Sequence, residues 1–341
     1  MTASQLPPPP RSTANPAPIR PADSVRRTSS IDVCWPDGLD GERLFFGRAR
    51  DLVTPATGGA GQVCAEGSFE ARIGDDKTIR TILAEPGYPK IGQLVGERGG
   101  GHLRMVLAER MPELIAAYDP LYLTLDDISG TALVSAFARW QWEPELMARH
   151  REQVGEVAYR KQLEQRVNIC WGLKEGHSGV SPEGPPYAVA DADAGHLRNP
   201  ADPEGWHAFP QAPGPGFRRA RRIDVMRDRA AGVIRIDSAF QDSAKLKQGG
   251  RVAIHEYNLR VTVDTGALEI LSIEPEARIL PFSECPGAIA NAQRLVGKRI
   301  GDMRDEVLSM LRGPAGCTHL NDALRALADI PGLVARLPQE A

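Results

Sequence analysis

The 341-residue sequence contains no apolar run long enough to span a bilayer, and its first residues lack the charged-then-apolar plan of a signal peptide. Cysteine is scarce, odd in number and scattered, which argues against a secreted disulfide framework and favours free thiols in a reducing compartment. We therefore predict a cytoplasmic protein without a membrane segment. The cysteines are Cys34, Cys64, Cys170, Cys285 and Cys317.

The sequence also lacks a strong excess of charge of either sign. Its formal net charge is -3 and its pI is near 6.2, so it offers no basic field for a phosphate backbone and nucleic acid is not an expected partner. The local arginine run at 218–222 is expected along a solvated strand edge. Neither a GxGxxG after a strand nor a Walker loop is present, which disfavours a nucleotide enzyme, and we predict no cofactor.

The sequence contains an internal repeat. The stretch 26–33 returns as 218–225, Glu85-Pro86 returns as Glu274-Pro275, and 94–98 returns as 295–299. Chance rarely keeps three short matches in the same order. The repeat predicts two related halves that pack about a pseudo-two-fold axis inside one chain. A homodimer of whole chains is a further possible assembly.

Each half shows short strand patterns first and helical periodicity afterwards. One hairpin is expected at Asp264-Thr265-Gly266, and its counterpart at Gly74-Asp75-Asp76. We predict an α+β fold, with two antiparallel-sheet-plus-helix units packed as a pseudo-dimer. The predicted parts are a proline-rich disordered tail (1–25), a first unit (26–145), a helix with a Gly/Pro-rich linker or lid (146–216), and a second unit (217–338).

The aromatic residues of the linker have two interpretations. Trp206, Phe209 and Tyr187 could cover a small hydrophobic aromatic substrate, or the linker could simply pack them on a neighbouring surface. Both interpretations stay open at the level of sequence.

The stretch 254–263 alternates, which places His255 and Tyr257 on the same face as Leu259, Val261 and Val263. A histidine and a phenol facing an apolar interior can act as acid or base, because burial and hydrogen bonding shift their pKa values. The alternative is a histidine that is satisfied within the core.

Two cysteines and a second histidine lie nearer the end of the chain. Pro286 suits the first turn of a helix, so Cys285 is expected at its cap, where the helix dipole favours thiolate, or else it is a small buried residue. Glu284 is a candidate base or a helix-start charge. Cys317 and His319, with Cys285 or His255, could form a three-ligand metal site, although no CxxC pair supports one.

The order of several motifs resembles the bacterial family known as domain of unknown function 2889. The motifs are Ile254-His255-Glu256-Tyr257, Cys285-Pro286-Gly287, Leu295-Val296-Gly297 and Gly316-Cys317-Thr318-His319-Leu320. The resemblance covers roughly 217–338, and the first half looks like a degenerate copy that lacks these histidines and cysteines. Glu256 stands where the family pattern usually has aspartate, and Asp322 stands near where it has glutamate; both changes keep the carboxylate.

The resemblance implies one activity, a cofactor-independent lyase that releases formaldehyde from phenylcoumaran-type lignin dimers. Under this hypothesis His319 is the base, His255 or Tyr257 is its partner at the phenol, Glu284 is a second carboxylate, and Arg299 stabilises a phenolate. The rival hypothesis is a non-catalytic module that binds a small ligand or a metal through its Cys/His cluster.

Overall fold

The computed structural model describes residues 16–181 and 192–339. Within these residues, eight antiparallel strands form one sheet in the order β4-β3-β2-β1-β5-β6-β7-β8. The predicted α+β class is confirmed. The strands are β1 (Ser24–Cys34), β2 (Arg43–Thr54), β3 (Gln62–Ile73), β4 (Ile79–Glu85), β5 (Gly216–Asp228), β6 (Val233–Lys245), β7 (Arg251–Asp264) and β8 (Ile270–Ile279).

The sheet is continuous because the first strand of each half pairs with the other. In the β1–β5 ladder, Arg26 lies opposite Asp224 and Asp32 lies opposite Arg218, and both pairs form ion pairs. Each half alone would leave its first strand as an unpaired edge, and the central pairing removes both edges. The predicted start of the first unit at residue 26 falls inside β1, which begins at Ser24.

The ladders of the two halves are interrupted at matching places. The β2–β3 register shifts directly after Asp51, and the β6–β7 register shifts directly after Asp242. A second shift lies near the outer hairpin in each half, between Arg72 and Ile73 and between Thr262 and Val263. Such bulges bend a strand and redirect its side chains.

Helices cover one face of the sheet, where Val25, Ile31 and Val33 of β1 join two apolar clusters that also contain helix residues. The helix predicted at the start of the 146–216 segment is present as Glu145–Glu164 but is interrupted at Gly155, whose φ is 75°. No helix in the described ranges is long and apolar enough to cross a membrane. The helices are α1 (Gly101–Arg110), α2 (Pro112–Ala116), α3 (Pro120–Val134), α4 (Phe137–Trp142), α5 (Glu145–Glu164), α6 (Met303–Met310), α7 (Thr318–Arg325) and α8 (Ile330–Ala335).

Segments without regular secondary structure, one before the first unit and one after it, cover the opposite face of the sheet. The Arg20 guanidinium pairs with Asp202, and Arg26 donates a hydrogen bond to the carbonyl of Pro18. His207 of the linker contacts Thr28 and Ser30 of β1. Residues 16–23, which the composition assigned to a disordered tail, are therefore packed against the linker and the sheet.

The prediction that the arginine run at 218–222 lies along a solvated strand edge is wrong. These residues belong to β5 at the centre of the sheet, and Arg219, Arg221 and Arg222 are buried. Burial of a guanidinium requires carboxylate partners. Arg222 pairs with Asp224 of the same strand and with Asp237 of β6, whereas the partners of Arg219 and Arg221 all come from other strands and helices.

Candidate active site

Asp242, His255 and His319 meet on the helix-covered face of the second half. Within the described ranges they form the group of His, Cys and acidic side chains close enough to share one ion, with candidate ligand atoms within 4.8 Å of one another. His255 Nδ1 lies 3.2 Å from Asp242 Oδ2, and His319 Nε2 lies 3.9 Å from the same oxygen. The two imidazole rings are stacked, with centroids 3.4 Å apart and planes inclined by 15°.

Local backbone features place the two histidines. Ile254 is the unpaired residue of the β7 bulge, so the alternation of the strand restarts at His255, directly opposite Asp242. His319 is the second residue of α7, after a turn at Gly316. A Cβ at Gly316 would lie 2.2 Å from the carbonyl oxygen of Leu311, so the turn requires glycine.

Arg219 forms a bidentate ion pair with Asp242. Its Nε and one terminal nitrogen each donate to a different oxygen of Asp242 at 2.9 Å, and its other terminal nitrogen donates to Asp322 at 2.9 Å. A bidentate pair of this kind fixes the carboxylate in both position and orientation. Asp242 is fully buried, whereas the His319 side chain is 16 % exposed. His319 is therefore the member of the group that reaches solvent.

The first half supplies part of the support for this site. Asp127 of α3 accepts two hydrogen bonds from Arg221 and lies 3.9 Å from Arg219. Arg104 of α1 pairs with Asp322 of α7. The Arg219 guanidinium that holds Asp242 in place is thus balanced by carboxylates from both halves of the chain.

Burial controls the protonation of the site. It opposes the charge of Asp242, but the Arg219 guanidinium outweighs it, so the pKa of Asp242 is lowered and this group is a carboxylate. Burial lowers the pKa of His255 despite the attraction of Asp242. The pKa of His319 falls well below its ordinary value through burial and then through repulsion from His255 whenever that ring is protonated. The resting state is therefore a carboxylate beside two neutral imidazoles.

The stacked rings suit proton transfer better than shared metal ligation. The lone pair of an imidazole nitrogen lies in the plane of its ring, and a bound ion must lie close to that plane. Two nearly parallel planes separated by a stacking distance cannot both contain one ion. Since ionised Asp242 only accepts, His255 must donate from Nδ1, which leaves its Nε2 free to accept a proton.

Cys285 and Cys317 are buried in the apolar core beside the site. The Tyr257 hydroxyl donates to Cys317 Sγ at 3.3 Å, and Tyr257 is fully buried. Burial raises the pKa of Cys317 to about 11, and the pKa values of Tyr257 and Cys285 are also raised well above their ordinary values by burial. Of the two alternatives for Cys285, the structure favours the small buried residue over the thiolate, because loss of water outweighs the position of this residue at the start of the 3-10 segment Cys285–Leu295.

Glu284 and Arg299, two further predicted site residues, have other surroundings. The Glu284 carboxylate accepts hydrogen bonds from the backbone N–H and the hydroxyl of Ser178 and from the hydroxyl of Ser283. Although burial opposes its charge, these donors lower its pKa. Arg299 is exposed, and its backbone bridges to Glu269 near the β7–β8 hairpin. The structure thus brings His255 and His319 together and gives Glu284 separate partners.

The predicted aromatic cover lies on the opposite face of the sheet. Trp206 is buried with its ring centroid 5.5 Å from that of Phe209, and Phe209 lies beneath the Arg218 guanidinium. Arg218 points away from the face that carries Arg219, because successive side chains of a strand alternate. Tyr187 falls outside the described residues.

His207, between these two aromatic residues, should make the fold sensitive to acid. Burial, reinforced by the charges of Arg50 and Arg48, lowers its pKa from 6.5 to about 3. An unfolded chain binds this proton below pH 6.5 and the folded chain does not, so the contribution of neutral His207 to stability is complete above that pH and is lost as the pH falls towards 3. The loss is about 1.4 kcal/mol per pH unit within this window.

We expect the variant His207→Gln to have a stability that depends less on pH than that of wild type. Urea unfolding at several values between about pH 7 and about pH 4.5 measures the free energy of unfolding of both proteins. The difference in free energy of unfolding between wild type and H207Q should become smaller as the pH falls. Exposed His102 gives the control His102→Gln. A difference that is constant over this range contradicts the assignment.

Sequence reasoning missed the carboxylates and the arginine that organise the site. Asp242 stands in an ordinary strand pattern, Phe240-Gln241-Asp242-Ser243, with no motif around it. Asp127 belongs to an Asp126-Asp127 pair inside an apolar helix, and this was the available signal, because a buried carboxylate requires a cationic partner.

Among the comparisons with known proteins, one match was found, to a family model, and it covers part of the second half of the chain. The comparison with curated proteins gave no match, and neither did the comparison with solved structures. The matched stretch, 217–332, contains Arg219, Asp242, His255 and His319, whereas Asp127 lies outside it. Over that stretch, which is well under half of the chain, the sequence is similar to a family described as "Protein of unknown function (DUF2889)".

Proposed function

We propose that this chain is a cofactor-independent lyase that uses acid–base chemistry at His319, His255 and Asp242. The observation that carries the proposal is the stacked histidine pair held by a buried carboxylate, with His319 reaching solvent. A neutral imidazole whose partner is fixed by Asp242 can accept a proton without prior rearrangement. The substrate class, a phenolic lignin dimer of the phenylcoumaran type, comes from the family resemblance.

The reaction needs one proton acceptor at the phenol. Because two stacked rings reach one place on a substrate, they act as a single unit, with His319 taking the phenol proton and His255 with Asp242 stabilising the resulting charge. The phenolate then expels the coumaran ether oxygen as an aryl oxide. This oxide takes the proton of the γ-hydroxyl, the Cβ–Cγ bond breaks, and formaldehyde leaves. The electron pair of that bond forms the stilbene double bond and restores the phenolate, to which His319 returns its proton.

The other predicted residues have narrower roles under this proposal. Tyr257 has no proton-transfer role under this proposal, because it is fully buried and its hydroxyl donates to Cys317, so it shapes the core beside the site. Glu284 as a second carboxylate and Arg299 as the group that stabilises a phenolate remain predictions. A substrate-covering role for Trp206 and Phe209 requires a rearrangement, since they lie across the sheet.

We also infer that the two halves are copies of one unit. Arg27 and Asp51 are opposite each other on β1 and β2, as Arg219 and Asp242 are on β5 and β6, and a bulge follows the aspartate in both halves. The residue opposite Asp51 is Ala65, where the second half has His255. This equivalence supports a single catalytic site per chain, with the first copy providing helices and charges.

Replacing His319 with glutamine tests the proposal. We expect formaldehyde release from a phenolic phenylcoumaran dimer to fall about 100-fold or more, the usual contribution of a general base. The unfolding midpoint should stay close to that of wild type, since His319 is partly exposed and its shape is approximated by glutamine. The control His102→Gln changes an exposed histidine of α1 and should keep full activity.

The same assay separates proton transfer from metal chemistry. Wild-type protein is assayed before and after exhaustive chelation, with its metal content measured by elemental analysis. Turnover that survives chelation supports acid–base catalysis. Turnover that chelation abolishes and Zn²⁺ restores contradicts it, and so does full activity of H319Q. Absence of formaldehyde from every dimer tested would refute the lyase class.

A further inference from the structure

A cavity of about 890 Å³ lies on the face of the sheet opposite to His255 and His319. Gln241 and Ser243 line it, and they flank Asp242 on β6, so their side chains point away from the histidine site. The linker segments around 193–198 and 209–212 enclose it from outside. Its volume is in the range of cavities that hold small organic ligands.

The cavity wall carries more positive than negative charge. Lys245 donates to the carbonyl of Ala212, and Arg251 donates to the side chain and carbonyl of Ser243, so both cations meet neutral oxygens. Among the described residues, the ion pair within this wall is Arg218 with Asp32, at 2.6 Å. The basic lining residues are Arg198, Arg218, Lys245 and Arg251, and the acidic ones are Asp32 and Asp193.

Two of these cations lie near each other and share one carboxylate within the described wall. Arg251 donates to Ser243, the residue opposite Arg218 in the β5–β6 ladder, and Asp32 already pairs with Arg218. Burial, followed by repulsion from Arg218, lowers the pKa of Arg251 to about 9. An anion placed between the two arginines would relieve the repulsion between them.

The remaining wall favours a flat apolar body beside that anion. The Phe209 ring lies 3.8 Å from the Arg218 guanidinium carbon, and Phe46 and Pro210 extend the apolar lining. Guanidinium groups bind carboxylates and aromatic faces at once because they are planar. We propose that the cavity binds a small aromatic carboxylate, whose carboxylate lies between Arg218 and Arg251 and whose rings lie along the Phe209 side. This site is separate from the proposed lyase site and does not depend on it.

The probe is biphenyl-4-carboxylate, with the uncharged biphenyl-4-carboxamide as its matched analogue, and binding is measured by titration calorimetry on the full chain. We expect the carboxylate to bind at least about tenfold more tightly than the amide, since charge-assisted hydrogen bonds are the stronger ones. The variant Arg251→Gln should weaken carboxylate binding at least about tenfold. Arg235→Gln, which changes an exposed arginine at the other end of β6, should not alter it.

The variant His319→Gln tells the two sites apart. Carboxylate binding that is unchanged in H319Q and weakened in R251Q supports the proposal, whether or not formaldehyde is released by the wild type. Equal binding of carboxylate and amide overturns it, as does binding that survives R251Q. Binding that is lost in H319Q and retained in R251Q would place the ligand at the histidine site and also overturn the proposal.

Discussion

Replacing Asp242 with asparagine should reduce both the stability and the turnover of this protein. The change removes the charge that holds Arg219 on one side and His255 on the other. Arg219 keeps Asp322 but loses its bidentate partner, and breaking a buried ion pair costs about 3–5 kcal/mol. Without the carboxylate, His255 is no longer oriented and the positive charge formed during proton transfer is not stabilised, so turnover should fall about 100-fold or more.

The first half provides a matched control in Asp51. Asp51 is fully buried and holds Arg27 through two hydrogen bonds, as Asp242 holds Arg219, but its further partner is Arg336 rather than a histidine. Asp51→Asn should lower the free energy of unfolding by a similar amount, measured by urea titration, and leave turnover per folded molecule close to wild type. Similar turnover losses in D242N and D51N would show that Asp242 acts through stability alone.

A second variant keeps this comparison decisive if D242N folds poorly. His255→Gln removes the imidazole that Asp242 orients, and it leaves the Asp242–Arg219 ion pair intact. Its cost in stability should therefore be smaller than that of D242N. Its turnover should nevertheless fall as far as that of D242N. Retention of activity in H255Q would contradict the role given to the Asp242–His255 pair.

The sequence was informative where the direction of a side chain follows from local periodicity. His255, Tyr257 and Leu259 do share a buried face, because the alternation that predicts this begins after the bulge at Ile254. The hairpin at Asp264-Thr265-Gly266 is present for a similar reason, since the turn chemistry lies within a few residues. The resemblance to the family of unknown function likewise depended on local motifs.

The sequence was uninformative where a residue depends on partners far along the chain. Arg219 and Arg221 looked solvated because their own strand contains no acid that neutralises them. Apart from Asp242 on the next strand, their partners Asp127 and Asp322 lie about a hundred residues away in either direction, on α3 and α7. The pairing of β1 with β5, which brings those helices over one continuous sheet, is also a choice between strand edges that no local pattern specifies.

The cost of adding one methyl group at Gly130 shows how closely the halves fit around this charge cluster. Glycine in the middle of α3 is unfavourable for the helix by itself, and alanine there would ordinarily stabilise it by about 1 kcal/mol. A Cβ at this position would lie 1.9 Å from a terminal nitrogen of Arg219 and 2.7 Å from an oxygen of Asp322. Since Arg219 is buried and held by carboxylates on several sides, its guanidinium cannot move aside without breaking ion pairs.

We therefore expect Gly130→Ala to lower the free energy of unfolding by about 2–4 kcal/mol, opposite in sign to the effect of helix propensity. Turnover per folded molecule should also fall, because any displacement of Arg219 is passed to Asp242 and then to His255. Gly101, an exposed residue at the start of α1 with open space where its Cβ would lie, gives the control Gly101→Ala, which should be neutral or slightly stabilising. Urea unfolding and formaldehyde release are measured on both variants. A G130A protein as stable as wild type would show that the first half tolerates movement of Arg219, and the positioning role of α3 would then be refuted.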